Sequence, residues 1–400
     1  MKNLFAAMLA AILAVLAVAT PIRADDQSVT DTLGKEVHAI GAVLMDARTG
    51  RVLWGKNERE PLAMASTTKI MTALLALEHG KPDAKVVASR QAAMAPKVHM
   101  GLSAGEEFRL YDLMLALMLE SSNDAAVAIA EHIGGSVEGF CAMMTHKARE
   151  IGAQDTVFET PSGLDSDQHF STAYDMALIT RHALANEDFV RLINTRDTHF
   201  SSSRRSYSFT NKNRLLNEYA GANGVKTGFT GKAGQCFVGA SKRGDMQLIS
   251  VVLGSGWGDA GREQKWRDTK RILDYGFDNF RYEVVVPQNS GAGDIFVERS
   301  RTPIVGTRFE RGLELPLSTP EKTSIVIDHD TPKLVRAPIE EGQHMGTAKV
   351  YIKGSLVDEI PILATATATR HDLKTSLEKT INTWLEMGTN ARVDVVLPKF

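Results

Sequence analysis

Ser66 and Lys69, in the run Ala65-Ser66-Thr67-Thr68-Lys69-Ile70, are three residues apart. On a helix their side chains share one face. A serine hydroxyl attacks a carbonyl only when a neighbouring base takes its proton. A lysine amine can be that base if burial or a second cation lowers its pKa. The pair alone carries little weight, because Ser-x-x-Lys arises by chance about once in a chain of this length. Ser376 and Lys379 form a second match. Context separates the two. Leu62, Ala63 and Met64 lead into Ser66 and an apolar helical stretch follows it, whereas Ser376 lies in an amphipathic segment that reads as solvated surface.

Two more groups follow in order. Ser121-Ser122-Asn123 breaks an otherwise helical stretch. There Ser121 can relay a proton to a leaving amine, and Asn123 offers an amide donor and acceptor to a peptide bond. The plain alternative is a helix cap ahead of Asp124, since Ser and Asn are ordinary N-caps. Lys226-Thr227-Gly228 ends a strand-like segment. A cation beside a hydroxyl suits a substrate carboxylate, and a glycine lets another backbone approach closely. Lys226 can also be the second cation near Lys69. Alone, this tripeptide would be an exposed strand end leading into a turn at Thr230-Gly231. Together the three groups describe serine acyl transfer on a substrate with a carboxylate end.

The elements that must position these residues are legible. Ala42 to Met45 and Arg51 to Trp54 form a hairpin around Asp46–Gly50. Ile70, Leu74, Leu75 and Leu77 have helical spacing after Ser66. Residues 110–120 are apolar nearly all round, as in a buried helix. Helices are expected at 124–133, 136–151, 172–185 and 263–277, and strands at 224–228, 235–241 and 246–253. An antiparallel sheet flanked by helices, with the helical middle as an inserted subdomain, fits this α+β pattern. From about residue 281 only short strands are expected: 282–287, 294–298, 313–316, 322–327 and 347–353. The domains therefore read as 1–24, 25–280, 281–366 and 367–400.

Lys2 followed by the apolar run Leu4 to Ala19, with small residues at Ala17, Ala19 and Ala24, reads as a cleaved secretory signal over 1–24. The run is short of the ~20 residues a membrane span needs. Export to the periplasm or the outer face of the cytoplasmic membrane follows. Cys141 and Cys236 could pair in an exported protein but read as two buried free thiols, and the absence of Cys-x-x-Cys or His-Glu-x-x-His leaves no metal signature. A net charge of -2 without a long single-sign run gives no basis for nucleic acid as a partner. Leu373, Leu377, Ile381, Trp384 and Leu385 share one side of a helix over 370–387. It can lie on a membrane or pack on the β domain.

The ordered motifs resemble those of low-molecular-weight penicillin-binding proteins, the serine-type D-alanyl-D-alanine carboxypeptidases of bacterial cell walls. The resemblance extends to Thr160-Pro161-Ser162-Gly163-Leu164-Asp165 and to Asn223 through Thr230, and covers about residues 36–280. It implies a β-lactamase/transpeptidase-like domain followed by a small all-β domain. Its implied substrates are peptidoglycan stem peptides, with β-lactam antibiotics as covalent inhibitors and no cofactor. Ser66 would be acylated, with Lys69 as base, Ser121 as proton relay and Asn123 orienting substrate. Lys226, Thr227 and Gly228 would form the carboxylate-facing wall. Backbone N–H groups of Ser66 and Phe229 would form the oxyanion hole. Some relatives carry His at the position of Phe229, and many carry Gly at that of Ser122. An arginine that helps hold the carboxylate corresponds to Lys212, with Arg214 as the alternative. A class A β-lactamase would need a Glu-x-x-Leu-Asn type loop, which is missing between Ser121 and Lys226. A DD-endopeptidase on the same fold, and a penicillin-binding sensor or wall-binding module without turnover, remain as rival readings.

Overall fold

The computed structural model describes residues 32–371 and 373–389. The segment over 1–24, which reads as a secretory signal, and Val393 to Leu397, which reads in the sequence as one more strand, lie outside the described residues. The chain divides into two units, one ending at Arg281 and one beginning at Tyr282.

In the first unit, β1 (Gly41–Asp46), β2 (Val52–Lys56), β3 (Ala222–Thr230), β4 (Gly234–Arg243) and β5 (Met246–Leu253) form one antiparallel sheet. Their order is β2-β1-β5-β4-β3, which leaves β3 at an edge. Strand side chains alternate between faces, and the register uses this. Val43, Val251 and Val238 are aligned neighbours and join the core of the helical middle. One residue along, Leu44 and Gly239 face the helix near the end of the unit: a Cβ on Gly276 would meet Leu44, and one on Gly239 would meet Thr269. Helices thus cover both faces: α1 (Lys69–His79), α2 (Leu110–Leu115), α3 (Asn123–Gly134), α4 (Val137–Ile151) and α5 (Ala173–Leu184) in the helical middle, and α6 (Gly258–Asn279) behind.

The segment 110–120 is buried as expected, but it is not one uniform helix. After α2 the chain widens into a π-helical stretch, Ala116–Glu120, and stops at Ser121 with φ 71°. Such widened turns recur at functional sites. The closing helix α6 starts at Gly258, five residues before the expected Glu263, and Gly258 turns the chain into it with a positive φ of 60°. A hairpin of Asp197–Ser201 and Ser206–Thr210 was not legible, since its strands are largely polar.

The second unit has a six-stranded sheet and a two-stranded one. Strands at Ile304–Phe309, Leu334–Arg336 and Ser355–Ala364 add to those expected. The last contains Pro361 and an Asp358-Glu359 pair, which hide its alternation. Lys322 does not open a strand. Ser318 and Glu321 form a capping box for a helical turn, Thr319–Lys322, so the strand begins at Ile325. In the final helix, α7 (Leu373–Thr389), Leu377, Ile381, Trp384 and Leu385 are all exposed. Among the described residues no helix is long and apolar enough to cross a membrane. Cys141, on α4, and Cys236, on β4, are buried free thiols.

Candidate active site

Ser66 lies in a 3-10 turn, Ala65–Thr68, that runs straight into α1. Ile70, Met71, Leu74 and Leu75 are buried on α1 and hold it in the core. Fully burying each such side chain is worth roughly 1.5–3 kcal/mol. The turn itself is strained: Ala65 has φ 49°, a left-handed conformation that costs a non-glycine residue about 1–3 kcal/mol. Gly163 packs on it so closely that a Cβ would sit 1.9 Å from the Ala65 carbonyl oxygen. Thr67 ties the turn back by donating from Oγ1 to Met64 O at 2.6 Å.

Lys69 is fully buried, and its ammonium position is saturated. Nζ lies 2.9 Å from Ser66 Oγ, 2.8 Å from Asn123 Oδ1 and 2.5 Å from Ser162 O. Burial, and then the nearby charge of Lys226, push its pKa well below the usual lysine range. A neutral amine with these neighbours can take a proton from Ser66. Lys226 is also buried, and burial followed by the charges of Lys212 and Lys265 lowers its pKa to about 7.

Asn123 opens α3. Its side-chain amide also donates to Pro96 O at 3.0 Å, and its backbone N–H donates to Val98 O at 2.7 Å. Asp124 next to it accepts from the backbone N–H groups of Met100, Gly101 and Leu102. The break between helices therefore clamps the loop over 96–102. Ser121 is buried, at 8% exposure, and its left-handed backbone makes the corner between the π stretch and α3. Its hydroxyl forms no hydrogen bond with Ser66 or Lys69 among the described residues. The cap reading fails for Ser122, whose side chain makes no capping bond.

Strand β3 forms the other wall. A Cβ on Gly228 would lie 3.0 Å from the backbone nitrogen of Ser66, so the strand touches the nucleophile's turn. Phe229 is paired with Gln235 on β4. Gln235 spends its backbone groups on the opposite side, donating to Gly256 O at 2.9 Å and accepting from Ser255 N at 2.8 Å. The Phe229–Gln235 pair is then the non-hydrogen-bonded kind, and the N–H and C=O of Phe229 face the open edge. The Phe229 side chain is half exposed. Thr230 donates from Oγ1 to Asp165 at 2.7 Å, linking β3 to the 160–165 segment. Lys212 is exposed and pairs with Glu120 at 2.7 Å, with Nζ also on Glu120 O. Arg214 turns away to Glu218 and Glu263.

Residues 26–256 match the family profile described as D-alanyl-D-alanine carboxypeptidase. The chain belongs to this family. It is 32% identical over 96% of its length to D-alanyl-D-alanine carboxypeptidase DacF of Bacillus subtilis, covering 99% of that protein. It is 30% identical to DacC of Escherichia coli over 82% of this chain and 83% of that one. Penicillin binding protein 5 of Haemophilus influenzae has the same fold, with a TM-score of 0.70 and 25% identity over 84% of this chain and 98% of that one.

Several supports of this candidate site were not legible in the sequence. Ser162 contributes only its carbonyl, which any residue type provides. His169 lies 101 positions from Thr68 yet hydrogen-bonds its Oγ1 at 2.9 Å through Nε2. Its Nδ1 accepts from Glu159 N at 3.0 Å, so Nε2 carries the proton. Burial lowers its pKa to about 4 and keeps it neutral. Asp124 carried one signal, an acid in a helix's first turn, which says nothing of the loop it holds.

Proposed function

We propose that this enzyme removes the terminal D-alanine from peptidoglycan stem pentapeptides through an acyl-enzyme on Ser66, and that β-lactams trap that intermediate. The supporting observation is the buried Lys69 amine, 2.9 Å from Ser66 Oγ and depressed in pKa. Lys69 Nζ takes the Ser66 proton as Oγ attacks the penultimate D-alanine carbonyl. The oxyanion forms against the N–H groups of Ser66 and Phe229. The tetrahedral intermediate then collapses. The C–N bond breaks, and Ser121 passes the proton to the departing amine. Asn123 orients the peptide. Thr227 and Lys226 hold the terminal carboxylate, with the charge of Lys212 behind them. Water attacks the ester as Lys69 takes its proton, the bond between the carbonyl carbon and Ser66 Oγ breaks, Lys69 returns the proton to Oγ, and the shortened peptide leaves.

The signal-like segment over 1–24 supports export, and the exposed apolar side chains of α7 support contact with the outer face of a membrane. Labelled penicillin should attach to Ser66, Ser66→Ala should abolish labelling, and a peptide ending in Lys-D-Ala-D-Ala should release free D-alanine. An unlabelled wild-type protein would sink the reading. Labelling without D-alanine release would favour the endopeptidase or the sensor instead.

A further inference from the structure

Lys265 is a buried lysine that the reaction above does not use. It is 7% exposed on the inner face of α6. Its Nζ donates to Gln235 Oε1 at 2.6 Å and lies 5.0 Å from the centre of the Trp266 ring. Among the described residues no carboxylate pairs with it. A cation held this way is expensive, and an apolar side chain would join α6 to the sheet at lower cost. Its partner explains its position. Gln235 stands directly opposite Phe229. Its backbone is bound to the 255–256 segment, so its side chain is the remaining handle on the β4 residue that backs Phe229.

We propose that Lys265 is a positioning residue for acyl transfer: through Gln235 it fixes the Phe229 N–H beside Ser66 and sets a buried positive charge behind the oxyanion. Three contacts then hold Gln235, two through its backbone and one through Lys265. The β3 edge beside it keeps its spacing from the Ser66 turn while the carbonyl becomes tetrahedral. A charge in a desolvated place acts more strongly than one in water. The other groups facing this lysine are Cys236 on β4, Arg262 and Glu263 on α6, and Arg214. Lys265 also weighs on Lys226, where it is among the charges that favour the neutral form.

This inference rests on the acyl-transfer reading, and the test keeps the two apart. Acylation by a fluorescent penicillin is followed in the full-length protein, with the rate constant and the preceding dissociation constant resolved. Lys265→Met should melt no lower than wild type and should acylate about tenfold or more slowly, less than the ~10²–10³ lost with a direct oxyanion donor. The loss should fall in the rate constant and not in the dissociation constant, because the oxyanion exists only in the transition state. Lys265→Arg should recover most of the rate. Gln235→Met, which leaves the cation in place, should slow acylation as well. Folded Lys265→Met and Gln235→Met proteins that acylate within threefold of wild type would overturn the proposal. So would Lys265→Arg as slow as Lys265→Met. Absence of labelling in wild type would instead overturn the acyl-transfer reading beneath it.

Discussion

Two buried lysines face opposite demands. In the proposed reaction Lys69 acts as the neutral base, so activity should rise with pH through its lowered pKa. The same proposal needs Lys226 charged to attract a carboxylate, while burial and the charges of Lys212 and Lys265 lower its pKa to about 7. The pH profile of kcat/KM for D-alanine release should therefore be bell-shaped, with an alkaline limb near neutrality. Lys226→Arg should remove that limb, because arginine stays charged. A persisting limb would assign it to another group. Stability follows the same shift. Between about pH 7 and the unfolded lysine value of about 10.4, the unfolded chain holds a proton that folded Lys226 has released. Stability then rises with pH across this window, and it is lost as pH falls to about 7. Thermal melts from pH 7 to 10 should show that rise, and Lys226→Met should reduce it, leaving the parts that come from buried Lys69 and Lys265.

The motifs act through elements that close approach has fitted together. Gly163 and Gly228 allow two segments to touch the Ala65–Thr67 backbone from different sides. A methyl group at residue 163 would collide with rigid backbone, and φ 84° there already disfavours a side chain. Strain and overpacking together should make Gly163→Ala destabilising by about 2–4 kcal/mol, and the substitution should abolish penicillin labelling. A melt unchanged from wild type would refute this. Asp124 holds three backbone N–H groups of the 100–102 loop. Asp124→Ala leaves the buried Leu102 N–H unpaired, at about 1–3 kcal/mol, and the part-buried N–H groups of Met100 and Gly101 with it. It should therefore lower the melting temperature and weaken substrate binding more than an exposed charge change such as Glu138→Gln. The three motifs, the hairpin and the central strands are legible in the sequence, since apolar periodicity and Gly-marked turns are local properties. The π stretch before Ser121, the polar 197–210 hairpin and the neutral His169 are not. Each is settled by partners distant in sequence.

For the molecule as a whole, the second unit and α7 raise the question of where the enzyme works. Leu377, Ile381, Trp384 and Leu385 are between 49% and 74% exposed, and the Trp384 ring is the most exposed of them. An apolar helical face of this kind binds an interface in proportion to the area it buries. Full-length protein should co-sediment with anionic lipid vesicles, and Leu377→Glu with Trp384→Glu should reduce that binding by tenfold or more, at about 25 cal/mol per Å² of apolar surface lost. D-alanine release from a soluble peptide should stay unchanged. Equal sedimentation of the variant would exclude this helix as the membrane contact.

The sequence alone determined which chemistry is available: Ser66 with Lys69 one turn on, Ser121 with Asn123, and Lys226 with Thr227 and Gly228. Residue type and local spacing carry that information. Tertiary structure alone decided that Lys69 is buried and triply bonded, that Phe229 turns its N–H to the open edge, and that Lys265 hydrogen-bonds Gln235, the residue paired with Phe229. Burial, strand register and long-range hydrogen bonds are properties of the packed chain, and pKa values and oxyanion geometry depend on them.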